Sequence, residues 1–172
     1  MRALSALFLP IALAACTPQS GLIPVTGLSD LGLVSVRKVA AADPLDRGAP
    51  SGPLLKITVA TATDIAAFAR VHSGPVAVLP RGCGAGKPDG STLLYDRFGE
   101  VGADPDAAAR RAGSDGQYHF YVPVLAAPTD LCASVSIGEG RYLGMAVSQF
   151  VSNTMVIPRE AIAAALGPTL PF

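Results

Sequence analysis

The side chains equipped for chemistry are few. Two histidines, His72 and His119, three cysteines, Cys16, Cys83 and Cys132, and scattered aspartates make up the inventory. A nucleophile needs a base beside it and donors for the oxyanion. No G-x-S-x-G elbow occurs, and Ser148 sits in AVSQF with no flanking glycine. Cys83 with His119 is the pair closest in kind to a thiol and base, but it requires Cys83 to be free. A metal site would require His72 and His119 to converge with carboxylates such as Asp64, Asp89 or Asp115, and no His-x-x-x-His spacing brings two ligands onto one helix face. Asp43 with Asp46, and Asp104 with Asp106, are carboxylate pairs that lack the third acid and turn glycine of a calcium loop. Turn and cap roles are expected for them. The glycine-rich GCGAGKPDGST, 82–92, departs twice from a phosphate-cradling loop. Arg81 stands where the first glycine is needed, and Pro88 follows Lys87 in place of the magnesium-binding hydroxyl. These patterns predict no catalytic residue, cofactor or metal ligand. Tyr95, Tyr118, Tyr121 and Tyr142 offer an exposed aromatic patch for a partner, unless they pack across a sheet.

The third cysteine has a different setting. The chain begins MRALSALFLPIALAAC, with one cation at Arg2 and an apolar run from Ala3 to Ala15 broken only by Ser5 and Pro10. That run is a secretory signal, shorter than the roughly 20 residues of a spanning helix. Leu13-Ala14-Ala15-Cys16 resembles the lipobox of bacterial lipoproteins. The resemblance implies cleavage before Cys16 and its modification with diacylglycerol and a further acyl chain. At about 0.8 kcal/mol per buried CH₂, two or three chains make such an attachment effectively permanent. Thr17 stands where inner-membrane members of the class commonly have Asp, so the resemblance also implies the outer membrane and a periplasm-facing body. With Cys16 assigned to lipid, Cys83 and Cys132 remain in an oxidising compartment, where a disulfide is the default. Closing a loop of about 50 residues contributes roughly 4 kcal/mol in the chain-entropy picture. A reactive thiol or metal ligand at either position is the alternative.

Removing residues 1–15 leaves 172 − 15 = 157 residues, enough for one domain. It also removes Arg2, so the mature balance is 12 − 13 = −1. No cationic excess exists to bind nucleic acid or an anionic bilayer by charge alone. Half the residues are apolar and 15% charged, which excludes wholesale disorder. With 18 glycines and 15 prolines, many turns are expected.

Residues 17–30 have the composition of a tether, and LGLVSVRKVA, 31–40, reads as a possible first strand. DPLDRGAPSGP, 43–53, reads as an exposed connection, so the compact body is expected from Leu54. Period-2 alternation predicts strands at 54–61 and 117–125, where Pro123 demands a free edge or a bulge, and another at 131–137. Short strands are expected at 75–79, 91–96 with a hairpin through 97–99, 141–151 and 155–157, with GEG at 138–140 turning the chain. A short helix is predicted over 63–72 from Ile65, Phe68, Ala69 and His72. A helical turn is expected at 103–111, and a helix over 158–167 from its Pro, Glu160 and Gly signals.

Many short strands without regular strand–helix alternation argue for a mainly β protein, an antiparallel β-sandwich with one or two short helices, after a signal peptide (1–15) and tether (16–53). DGQYHFYVPV, 115–124, is similar to the turn and strand of carboxypeptidase-regulatory-like and transthyretin-type sandwiches, a likeness of ten residues that bears on fold alone. The expected function is a lipid-anchored, noncatalytic adaptor or structural lipoprotein of the bacterial envelope with a protein partner. The alternatives are a small periplasmic hydrolase using His119 or His72 with a nearby aspartate, or a small-ligand module with a pocket between its sheets.

Overall fold

A computed structural model of the chain describes residues 29–72, 76–85, 89–102, 116–125, 127–142, 145–167, without the side chains of 70–72 and 139–149. The expected signal, Cys16, the tether up to residue 28 and the helical turn at 103–111 with Asp104 and Asp106 lie outside these residues. So do Asp115 and the side chains of His72, Tyr142 and Ser148.

The described chain forms β1 (Gly32–Val39), β2 (Leu54–Ala60), α1 (Ile65–His72), β3 (Val76–Gly82), β4 (Thr92–Leu93), β5 (Tyr95–Asp96) and β6 (Gly99–Glu100). It continues with β7 (Gln117–Pro123), β8 (Leu131–Tyr142), β9 (Met145–Val151), β10 (Met155–Ile157) and α2 (Arg159–Leu166). One sheet has the order β1-β2-β7-β5-β6, the other β10-β8-β3-β4 with β9 also on β8. Every pairing is antiparallel. The protein is the expected mainly β sandwich.

Alternation builds its interior. Leu55, Ile57 and Val59 of β2 and Tyr118, Phe120 and Val122 of β7 point inward, as do Val76 and Val78 of β3 and Ala133, Val135 and Ile137 of β8, all buried in one cluster. Ile65, Ala66 and Ala69 of α1 and Ile162 of α2 close its margins. The start of α1 is fixed twice, because the Ile65 N–H donates to the Tyr118 hydroxyl at 3.0 Å and the Ala67 N–H to Asp64 Oδ1 at 2.9 Å. The latter is an N-cap. The chain passes between sheets at Leu94, a fully buried residue separating β4 from β5. Pro123 pairs with Leu54 at the last rung of β7, and β5 meets β7 only at Tyr95–His119, so no ladder needs the missing N–H.

Two expectations change. The body does not begin at Leu54: β1 pairs along β2 from Gly32–Ala60 to Val39–Leu54, and Leu31, Leu33 and Val36 pack into the core. The apolar interior therefore includes the first strand. Nor does GEG turn the chain, because β8 runs through it to Tyr142 in unbroken register with β9, from Ser136–Val151 to Tyr142–Met145. Gly138 takes φ +79 within the strand, a conformation open to glycine, and the ladder is kept.

Cys83 and Cys132 are joined as a disulfide, with Cα atoms 5.0 Å apart and a sequence separation of 49. Neighbouring strands make this possible, since β3 pairs Arg81 with Cys132 and the Cys83 N–H donates to the Asp130 carbonyl at 3.1 Å.

Candidate functional site

The outward positions of the first sheet carry the polar chemistry. Alternation that turns Ile57 and Phe120 inward turns Lys56, Thr58, His119 and Tyr121 outward, and the register places Lys56 opposite Tyr121 and Thr58 opposite His119. Across this face runs the segment 41–53, the expected exposed connection. It is a strap. Most of it is exposed, but the Asp46 side chain is only 2% accessible.

Asp46 Oδ2 accepts from His119 Nε2 at 2.7 Å and from the Tyr121 hydroxyl at 2.6 Å. The Tyr121 oxygen accepts the Asp43 N–H at 3.2 Å, so the phenol relays between strap backbone and strap carboxylate. Asp43 Oδ2 lies 3.3 Å from the same hydroxyl and is ion-paired with Lys56 Nζ. Further along, the Tyr95 hydroxyl donates to the Arg47 carbonyl at 3.1 Å. His119 stacks on Tyr95 at 5.7 Å between ring centroids and meets Tyr121 edge-on at 5.6 Å. Beneath the strap a small second core forms from Leu54, Tyr95 and Tyr121 with Val39, Ala42, Ala49 and Leu93 packed against it.

These surroundings set the protonation states. The hydrogen bond and charge of Lys56 hold the Asp43 carboxyl below the usual range, opposed by partial burial. Desolvation, followed by the negative charges of Asp46 and Glu100, pushes the Tyr95 phenol up to about 12. Tyr121 is pushed further in the same direction, first by desolvation and then by its bond to Asp46. Both phenols stay protonated at neutral pH.

The candidate residues are thereby sorted. Tyr95, Tyr118 and Tyr121 are at most 1% exposed, so they do not form the exposed aromatic patch. Tyr118 belongs to the sandwich interior and the other two are roofed by the strap. Cys83 is bonded to Cys132, which removes the thiol that a Cys83–His119 pair would need. Asp64 caps α1, and Asp89 closes its own loop, with Oδ2 accepting the Gly82 N–H at 3.3 Å and its N–H donating to the Pro80 carbonyl at 3.0 Å. Asp43 and Asp46 bracket a turn as expected, the Asp46 N–H donating to the Asp43 carbonyl at 2.9 Å, and their carboxylates also approach His119. One ligand atom from each lies within 4.8 Å of the others, the only such grouping of metal-ligating side chains among the described residues. Asp43 Oδ2 and Asp46 Oδ2 are already engaged. A divalent cation on these two oxygens would compete with Lys56 at Asp43 and with the His119 and Tyr121 donors at Asp46.

Several clefts open around the cluster and the strap. One, of about 530 Å³, has Asp43, Asp46, Lys56, Asp96, Arg97 and His119 among its lining residues. The second, of about 430 Å³, lies between the sheets at the far end of the strap, where Leu93, Leu131, Val122, Pro50 and Pro80 give it an apolar lining. No protein-family signature matches the chain, and neither a curated protein nor a solved structure is significantly similar to it.

Proposed function

We propose that this chain is a noncatalytic β-sandwich held by lipid on Cys16 in the bacterial outer membrane, facing the periplasm and acting as an adaptor or structural component of the envelope. The observation that carries the reading is Asp46 Oδ2, whose two hydrogen bonds from His119 and Tyr121 tie the strap to the sheet. The described histidine and its carboxylate are thus spent on closing the fold, the opposite of a base left free to meet a substrate. Support for the compartment comes from the lipobox-like LAAC and from a disulfide of the kind that persists in oxidising surroundings.

The second reading, a small hydrolase, draws on the 2.7 Å His119–Asp46 contact beside the 530 Å³ cleft. The two are separated by a double variant, His72→Ala with His119→Gln, in which the glutamine amide can still donate to Asp46. Retention of the cellular phenotype in a folded, normally localised protein supports the adaptor. Its loss with folding and localisation intact transfers the case to the hydrolase. Replacement of Cys16 by Ser tests the anchor separately: release from the membrane fraction or stalled processing is expected, and unchanged fractionation with normal processing overturns it.

A further inference from the structure

The described part of the chain enters the sandwich at a defined end. Asp30 Oδ1 accepts the Thr61 hydroxyl and Asp30 Oδ2 the Ala62 N–H, each at 2.6 Å, and β1 starts with Gly32 paired to Ala60. β7 starts at the same end, with Gln117 paired to Ala60. Since β5 runs antiparallel to β7 with Tyr95 opposite His119, the turn after Asp96 points to this end as well. That turn is Arg97–Phe98, fixed by the Phe98 N–H donating to Asp96 Oδ1 at 2.8 Å.

An apolar knuckle projects there. Phe98 is 45% exposed and Leu45 64%, two of the four large apolar side chains left open among the described residues. They belong to adjoining segments, because a Cβ on Gly99 (φ +107) would lie 2.8 Å from the Leu45 carbonyl, an approach only glycine permits. The Arg97 guanidinium sits 4.7 Å from the centre of the Phe98 ring. An aromatic ring and a leucine with an arginine alongside match a bilayer interface, where apolar groups enter the acyl boundary and a guanidinium pairs with phosphate.

Resting on the lipid-anchor reading above, we propose that this end of the sandwich is a membrane-contact face. Phe98 and Leu45 enter the headgroup–acyl boundary and Arg97 takes a lipid phosphate. From Cys16 to Ser29 the chain has 29 − 16 = 13 steps, so even fully extended it reaches no more than about 45 Å. An anchored domain is therefore always close to the bilayer, and a contact too weak to recruit a free protein is populated by effective concentration.

The chain has no tryptophan, so Phe98→Trp supplies a single reporter. The processed protein, purified from membranes, is reconstituted into phosphatidylethanolamine–phosphatidylglycerol vesicles with and without a bromo-acylated phosphatidylcholine. Leu45→Trp is a second reporter in case the first disturbs folding. Val156→Trp is the control, since Val156 is 54% exposed and lies on β10 of the other sheet, paired with Cys132. The expected result is blue-shifted emission quenched by the bromines at positions 98 and 45 and water-like, unquenched emission at 156. Water-like emission at 98 and 45 in protein that floats with the vesicles overturns the membrane face, leaves the anchor standing and gives the knuckle to a protein partner. Failure of the wild-type protein to float overturns the anchor and the membrane face with it.

Discussion

Asn153 and Leu31, 122 residues apart, exchange two hydrogen bonds: the Leu31 N–H donates to Asn153 Oδ1 at 3.1 Å, and Asn153 Nδ2 donates to the Leu31 carbonyl at 3.1 Å. One side-chain amide thus pairs both backbone groups of the residue preceding β1, as a neighbouring strand would. It joins the beginning of the described chain to the turn before β10. The adjacent Ser152 exchanges a similar pair with Val135, its N–H donating to the carbonyl and its hydroxyl accepting the Val135 N–H, each at 2.8 Å.

Asn153→Asp keeps the acceptor and removes the donor, leaving the Leu31 carbonyl facing a carboxylate. A loss of about 1–3 kcal/mol is expected, read as a lower urea midpoint with the slope unchanged. Asn153→Ala should fall in the same range. Leu31 and its neighbours should then exchange amide protons faster. Unchanged stability and exchange in both variants would show that the bridge contributes nothing.

The strap offers a graded test. Asp46→Ala leaves the His119 N–H without its acceptor and the Tyr121 hydroxyl with only its 3.3 Å contact to Asp43, and should cost about 3 kcal/mol, the range for breaking a buried polar pair. Tyr121→Phe removes one donor to Asp46 and the acceptor of the Asp43 N–H, and about 1–2 kcal/mol is expected. If the two effects are coupled through Asp46 Oδ2, the double variant will lose less than the sum. Additive losses would mean that the two side chains act independently despite their 2.6 Å contact.

Much of the frame was legible in the residue order because it is local. Ile57 and Val59, or Phe120 and Val122, reveal an inward face by alternation alone, and Pro158, Glu160 and Gly167 bracket α2. What could not be read depends on tertiary register. Asp46 lies 73 residues from His119, and nothing near either announces the other. Outward alternation correctly put His119 and Tyr121 on one face. It was silent on the strap that covers them, which is why Tyr121 looked exposed. Gly138 was misleading because a turn signal was answered by a partner strand. Arg97 and Phe98 were legible as a turn but not as a surface, since Leu45 reaches them only through the strap.

The disulfide should be structural and not regulatory. Cys83 follows β3 and Cys132 lies within β8, so the bridge fastens two strands already paired over seven rungs. Cys132→Ser together with Cys83→Ser should lower stability by about 4 kcal/mol, the chain-entropy value for a loop of this size. The pairing of Leu131 and Ala133 with β10 should persist, giving an unchanged far-ultraviolet spectrum at low temperature. Nonreducing peptide mapping of the wild-type protein should recover Cys83 linked to Cys132. Two free thiols there would contradict the bridge.

Alkaline pH should unlatch the strap before it disturbs the sandwich. Tyr95 is held protonated up to about 12, against roughly 10 in an unfolded chain, and Tyr121 is shifted in the same direction. A phenol whose folded pKa is raised binds its proton more tightly when folded, so the contribution is full below pH 10 and declines as pH rises from 10 through 12. Mechanistically, ionised Tyr121 would oppose Asp46 instead of donating to it, and ionised Tyr95 would lose its donation to the Arg47 carbonyl. Stability should therefore fall above pH 10. The phenolate absorbance of these two tyrosines should rise late and together with faster amide exchange in residues 43–49. In Tyr95→Phe/Tyr121→Phe the alkaline slope should flatten even though the protein is less stable at neutral pH. A slope unchanged in that variant would place the alkaline sensitivity elsewhere in the fold and remove the strap from the account.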